Sequence, residues 1–285
     1  MKRVTVMKIA IVGLGLIGGS LAKSIKKNTN HICFALDTNR QTILSAIEQE
    51  SIDGEISADE LNKCDVVIVC LYPEATVKFI TENASNFKKG GIVIDVCGVK
   101  EAIVSPCENA LSEVGVSFLG CHPMAGREFS GFEYAVDNLF DKASFIITKT
   151  ENSDDKIVTK IRNLALEIGF CEVVVSTPGE HDKVIAFTSQ LAHIVSSSYV
   201  KSPSLFNQAG FSAGSFKDLT RVAKLNEDMW TSLFMLNKKA LSDEISCIID
   251  RLSEYKKALD DENYEEMHNL LKHGRELKEK SNEQN

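Results

Sequence analysis

Short apolar, β-branched runs recur through the first part of the chain: Met7 to Val12, His31 to Leu36, Asp65 to Leu71, Ile92 to Val96, Ser117 to Cys121, Ser144 to Thr148 and Glu172 to Val175. Between them lie stretches with apolar residues at helical spacing, among them Thr76 to Phe87, Glu101 to Leu111 and Asp155 to Ile168. Continuous apolar strands alternating with amphipathic helices predict a parallel sheet covered on both faces. The pattern therefore assigns residues 1–176 to an α/β domain.

After Val175 the β-branched runs stop. Thr177-Pro178-Gly179-Glu180 combines an N-cap residue, a proline at the first helical position and a glutamate placed to reach back to the cap. This predicts a long helix from Pro178 to Val200, and helical periodicity then continues to about Lys280, with breaks near Lys201-Ser202-Pro203 and Gly210 to Gly214. Residues 177–285 are thus expected to form an all-α domain. Val184, Ile185, Phe187, Leu191, Ile194 and Val195 spread over several faces of the first helix, which predicts burial, in part against a second copy of the chain. The polar end, Glu276 to Asn285, is expected to fray.

The first apolar run ends in Gly13-x-Gly15-x-x-Gly18 and passes straight into a helical pattern. In a strand-turn-helix unit this spacing suits a dinucleotide: the first glycine makes the bend, the second admits the pyrophosphate and the third lets helix and strand pack closely. Leu16 and Ile17, at the opening of the helix, complete the predicted phosphate site, where free N–H groups face an anion. The second run ends in Asp37, placed to hold the ribose hydroxyls. The alternative is an ordinary glycine-rich turn in another α/β protein.

Composition narrows the function. With 32 basic and 40 acidic residues the net charge is −8, which argues against a nucleic-acid or anionic-membrane surface and requires any anionic substrate to find a local basic pocket. The eight cysteines sit mostly in or beside apolar runs with no CxxC pair, so reduced buried thiols are expected, and no metal site. The N-terminus runs directly into the first strand and no long apolar segment follows, which leads us to expect a cytoplasmic protein.

Three groups could carry chemistry. His122 follows the Ser117 to Cys121 strand at the predicted cofactor edge, as a proton acceptor or as a histidine held by backbone. Asp182, Ser189 and His193 are spaced by seven and four along the long helix, either lining a cleft or forming a core hydrogen-bond pair. Lys217 and Arg221 stand a helical turn apart, facing one anion or solvent. Trp230 is a core anchor or a pocket wall.

Taken in order, these segments resemble the prephenate dehydrogenase family: the glycine turn with Asp37, Asp95-Val96-Cys97-Gly98-Val99-Lys100, His122-Pro123-Met124-Ala125-Gly126, His181-Asp182, Ser189-Gln190-Leu191-Ala192-His193, and Phe216-Lys217-Asp218-Leu219-Thr220-Arg221 with Met229-Trp230. The resemblance implies that residues 1–176 form an α/β Rossmann NAD-binding domain, with NAD as cofactor, prephenate as substrate, oxidative decarboxylation to 4-hydroxyphenylpyruvate in tyrosine biosynthesis, and a homodimer formed through the helical domain. It implies further that His122 contacts the ring hydroxyl, that Ser189 and His193 line the pocket, that Arg221 with Lys217 nearby takes a carboxylate, and that Glu128 gates or orders the pocket. Gly98 stands where many relatives carry a serine, Gln190 and Ala192 where many carry histidine and proline, and Arg127 where some carry threonine. Rival readings are an arogenate dehydrogenase and a non-catalytic dinucleotide sensor.

Overall fold

Strand periodicity places Ile9 and Ile11 on one face of β1 (Lys8–Val12) and Ala10 and Val12 on the other, and all four are buried. A strand buried on both faces belongs in the middle of a covered sheet. The computed structural model describes residues 6–127 and 129–283. Its described strands continue with β2 (Ile32–Leu36), β3 (Gly54–Glu55), β4 (Val66–Val69), β5 (Ile92–Asp95), β6 (Ser117–Pro123), β7 (Ser144–Thr148) and β8 (Glu172–Ser176). They form one sheet in the order β3-β2-β1-β4-β5-β6-β7-β8. The order reverses at β1, and ligands of open α/β sheets bind at the carboxyl ends of the strands beside such a reversal.

Helices α1 (Leu16–Asn28), α2 (Arg40–Glu48), α3 (Pro73–Glu82), α4 (Glu101–Ser112) and α5 (Asp155–Ile168) connect the strands. Leu21 and Ile25 of α1 and Ile161 and Leu164 of α5 join Ile9 and Ile11 in one core layer. Ile80 of α3 and Ile103 and Leu111 of α4 join Ala10 and Val12 in the other. Each fully buried side chain of this size contributes roughly 1.5–3 kcal/mol, so the two layers together hold the sheet edge that carries the site.

The expected parallel sheet is corrected in one place: β7 runs antiparallel to β6, with His122 opposite Ile146. A parallel return needs a crossover, usually helical. Among its described residues, the stretch between these strands instead carries only a short helical turn at Phe132–Tyr134. The two-residue β3 has too little apolar pattern to read from sequence.

The predicted long helix is α6 (Pro178–Ile185), a π-helical stretch over Ala186–Leu191 and α7 (Ala192–Tyr199). It opens as expected: Thr177 Oγ1 accepts from the Glu180 N–H and the Glu180 carboxylate accepts from the Thr177 N–H. α8 (Gly214–Thr220) and α9 (Glu227–Leu236) follow, then α10 (Lys238–Asp260) and α11 (Tyr264–Asn282). The chain divides into two compact units, Met1–Asn237 and Lys238–Asn285. In the second, α10 and α11 form a hairpin in which the Tyr255 hydroxyl donates to the Leu270 carbonyl at 3.4 Å. α11 extends through Asn282, so helix replaces the expected fraying over Glu276 to Asn282.

Among the described residues no helix is long and apolar enough to cross a membrane. All eight cysteines are free thiols, with Cys171 and Cys247 exposed rather than buried.

Candidate active site

The glycine turn closes β1 onto α1. Gly13 has φ +90°, in the left-handed region, and a Cβ there would stand 2.8 Å from the Cys70 carbonyl oxygen. At Gly18 a Cβ would fall 1.9 Å from the Gly13 carbonyl oxygen, so helix and strand could not approach as they do. Gly15 differs, because a Cβ there meets no atom within 4 Å. It is also the N-cap of α1 and offers no side-chain cap, leaving the first N–H groups of Leu16, Ile17 and Gly18 with the positive end of the helix dipole at an open surface. These residues fit the pyrophosphate of a dinucleotide. Asp37, at the end of β2, accepts from the N–H of Leu14 at 2.7 Å and of Asn39 at 2.8 Å, which fixes its carboxylate beside the turn. Arg40, the nearest cation in sequence, is ion-paired with Glu55.

His122 lies within β6, which runs two residues beyond the predicted strand. Beneath it, Asp95 and Lys100 form an ion pair from which solvent is wholly excluded. Lys100 Nζ also donates to the Cys121 carbonyl at 2.6 Å, while Asp95 accepts from the N–H of Cys97 and of Cys121. This network ties the end of β5 to β6. His122 Nδ1 lies 2.9 Å from Nε2 of His181, whose Nδ1 lies 2.7 Å from Asp182 Oδ1. Asp182 in turn accepts from the N–H groups of Lys100 and Glu101 at 2.8 and 2.9 Å, capping α4 from outside. Burial above all, with the charge of Lys100 adding to it, holds the His122 imidazolium pKa well below its ordinary value, so the ring is neutral near neutral pH. The loop leaving His122 is pinned to α1: Lys23 Nζ donates to the Ala135 carbonyl and the Val136 N–H donates to Ser20 Oγ.

On the helical side, His193 Nδ1 lies 3.1 Å from the Val222 carbonyl, and its ring packs on Trp230 with centroids 4.0 Å apart. Burial lowers the His193 pKa, the Val222 hydrogen bond opposes that shift, and the charge of Arg221 adds to it. His193, Trp230 and Arg221 are thus neighbours. α9 links this group to the other, since Leu233, a turn beyond Trp230, is the side chain nearest the position of a Cβ on Gly98, with His122 next.

Two family models match the chain: "Prephenate dehydrogenase, nucleotide-binding domain" over residues 21–176 and "Prephenate dehydrogenase, dimerization domain" over residues 177–273. The chain belongs to the prephenate dehydrogenase family. The prephenate dehydrogenase of Bacillus subtilis is 29% identical over 280 residues, covering 95% of this chain and 75% of that protein. Among solved structures, prephenate dehydrogenase from A. aeolicus in complex with hydroxyphenyl propionate and NAD+ superposes with a TM-score of 0.87 at 28% identity, covering all of both chains. Synechocystis arogenate dehydrogenase gives a TM-score of 0.83 at 26% identity, covering 96% of this chain and all of that one.

Set against the prephenate dehydrogenase family pattern, the single-face stripe expected of Asp182, Ser189 and His193 is corrected. The π-helical stretch between them changes the register, so Asp182 turns to α4 and His193 to Val222 and Trp230. Ser189 is half-buried, and its hydroxyl makes no hydrogen bond among the described residues. Gln190 is instead buried, bonding the Leu233 carbonyl and Asn237 across to α9. Lys217 lies in α8, while Arg221 begins the tighter helical turn after it, and both are exposed. Glu128 lies outside the described residues. In sequence Asp95 and Lys100 appear as the two ends of one family-like segment, with no sign that their side chains pair. His181, with no partner near it in sequence except Asp182, gave no signal for its contact with His122.

Proposed function

We propose that this chain is an NAD-dependent prephenate dehydrogenase, converting prephenate to 4-hydroxyphenylpyruvate and carbon dioxide with transfer of a hydride. The observation that carries this reading is a neutral His122 at the carboxyl end of β6, on the same sheet edge as the dinucleotide-binding glycine turn after β1, in a chain of the prephenate dehydrogenase family. When bound across Gly13, Gly15, Leu16, Ile17, Gly18 and Asp37, NAD supplies the hydride acceptor. His122 takes the ring hydroxyl proton as hydride leaves the carbon bearing it, and returns it to the phenolic oxygen once the ring carboxylate has departed as carbon dioxide. Arg221, with Lys217, Ser189, His193 and Glu128 as further pocket residues, orients a carboxylate of the dianion, and a net charge of −8 makes such a local cation necessary.

The reading divides the chain into a cofactor domain, 1–176, and a helical substrate and dimerisation domain, 177–285, in a cytoplasmic homodimer. Support for the dimer comes from the second family model's description and from apolar side chains left exposed in a single chain, including Val184 at 58%, Phe187 at 61% and Leu252 at 60%. Light scattering should give twice the chain mass of 31.4 kDa, and the single-chain mass would remove the dimer.

Absorbance of reduced cofactor tests the activity. Mixing the protein with NAD and prephenate should produce it. A faster reaction with arogenate would reassign the substrate, and silence with both would leave a dinucleotide sensor.

A further inference from the structure

We propose that His181 is a positioning residue: it fixes the tautomer of His122 so that Nε2, the nitrogen facing Gly98, is the unprotonated one. This rests on the reading of His122 as proton acceptor, and adds what selects the accepting atom.

The argument follows the donors. Asp182 receives two backbone N–H groups at the start of α4, one on each carboxylate oxygen, and sits at the positive end of that helix. Both carboxylate oxygens thus act as acceptors. The proton between Asp182 and His181, 2.7 Å apart, therefore resides on His181 Nδ1. His181 is buried at 2% exposure. With Nδ1 donating to Asp182, the other ring nitrogen of His181, Nε2, is the one left to accept. The contact between His181 Nε2 and His122 Nδ1 at 2.9 Å then needs its proton from His122. With Nδ1 protonated, His122 presents Nε2 as the base, and a Cβ built on Gly98 stands 3.8 Å from that atom.

A histidine without this partner populates both tautomers, and the share with Nε2–H cannot take a proton at the atom facing Gly98. His181 touches no reacting atom in this account. Its effect reaches chemistry through His122, as an orienting group acts on a catalytic base.

Nitrogen-15 NMR of the imidazoles reads the tautomer directly, without turnover. In the wild-type protein near neutral pH, His122 should show a protonated Nδ1 and an unprotonated Nε2. His181→Ala should give a mixture of the two, with kcat reduced about 10- to 1000-fold and KM for NAD and substrate within about twofold. His181→Gln, whose side-chain oxygen can stand in for the accepting Nε2, should recover part of the loss. A wild-type spectrum with the proton on His122 Nε2 overturns the proposal, and this holds even where the variants fail to fold. An unchanged tautomer in folded His181→Ala also overturns it. Full activity in His122→Asn would instead sink the reading of His122 as base while leaving the tautomer assignment standing.

Discussion

Gly98 and His122 are direct neighbours: a Cβ built on Gly98 would lie 3.8 Å from His122 Nε2 and 3.6 Å from Leu233 Cδ2, both ordinary contacts. Gly98 is not among the glycines with positive φ, so a serine can be placed there without backbone strain. We expect Gly98→Ser to fold with a stability change under about 1 kcal/mol. Its hydroxyl is within reach of Nε2, so it should bond the histidine and the substrate hydroxyl and lower KM for prephenate several-fold. Calorimetry and steady-state kinetics on the one variant check both parts. A large loss of melting temperature would show that the space is not available.

Acid should be tolerated further than an ordinary histidine allows. The folded His122 pKa lies well below 6.5, so the base stays neutral as the pH falls past 6.5, and the acid limb of kcat/KM belongs at lower pH. Stability follows the same sign. Below pH 6.5 the unfolded chain binds this proton before the folded one does, so the contribution of His122 is intact above 6.5 and is lost as the pH falls towards the folded value. His122→Asn should remove this step from the melting profile and lower turnover about 10²- to 10⁴-fold, with NAD affinity near normal. An acid limb at or above 6.5 would contradict the burial argument.

NAD should be preferred over NADP. Asp37 repels a 2′-phosphate, and Arg40, the cation that could welcome one, is engaged by Glu55. Glu55→Ala should free Arg40 and raise kcat/KM for NADP several-fold, with little change for NAD. The pair is exposed, so the gain should shrink with added salt. An NADP constant at or above that for NAD in the wild type would remove the preference.

Arg221→Ala should raise KM for prephenate roughly ten- to a hundredfold, the loss of about 1.5–3 kcal/mol typical of a charge-assisted contact, and leave NAD binding unchanged. Arg221→Lys should recover little, because an ammonium lacks the two-pronged geometry. His193 supplies a second readout: its lowered pKa owes part of the shift to Arg221, so in Arg221→Ala it should rise. Histidine titration by NMR measures that independently of substrate.

The amino-acid sequence by itself determined the parts whose information is local. Strand runs buried on both faces, the Thr177–Glu180 cap and the glycine spacing each depend on residues within a few positions of one another, and each stands in the structure as read. Only the tertiary structure decided the rest. β7 turns antiparallel where the described residues of the connection before it hold no crossover helix. The π-helical stretch separates Asp182 from His193 although their spacing puts both on one face of a regular helix. His181 reaches His122 across 59 positions, and Asp182 reaches Lys100 across 82, because α6 packs against the start of α4. Periodicity records which side of an element is apolar, but not which element that side will meet, and a proton's position depends on the meeting.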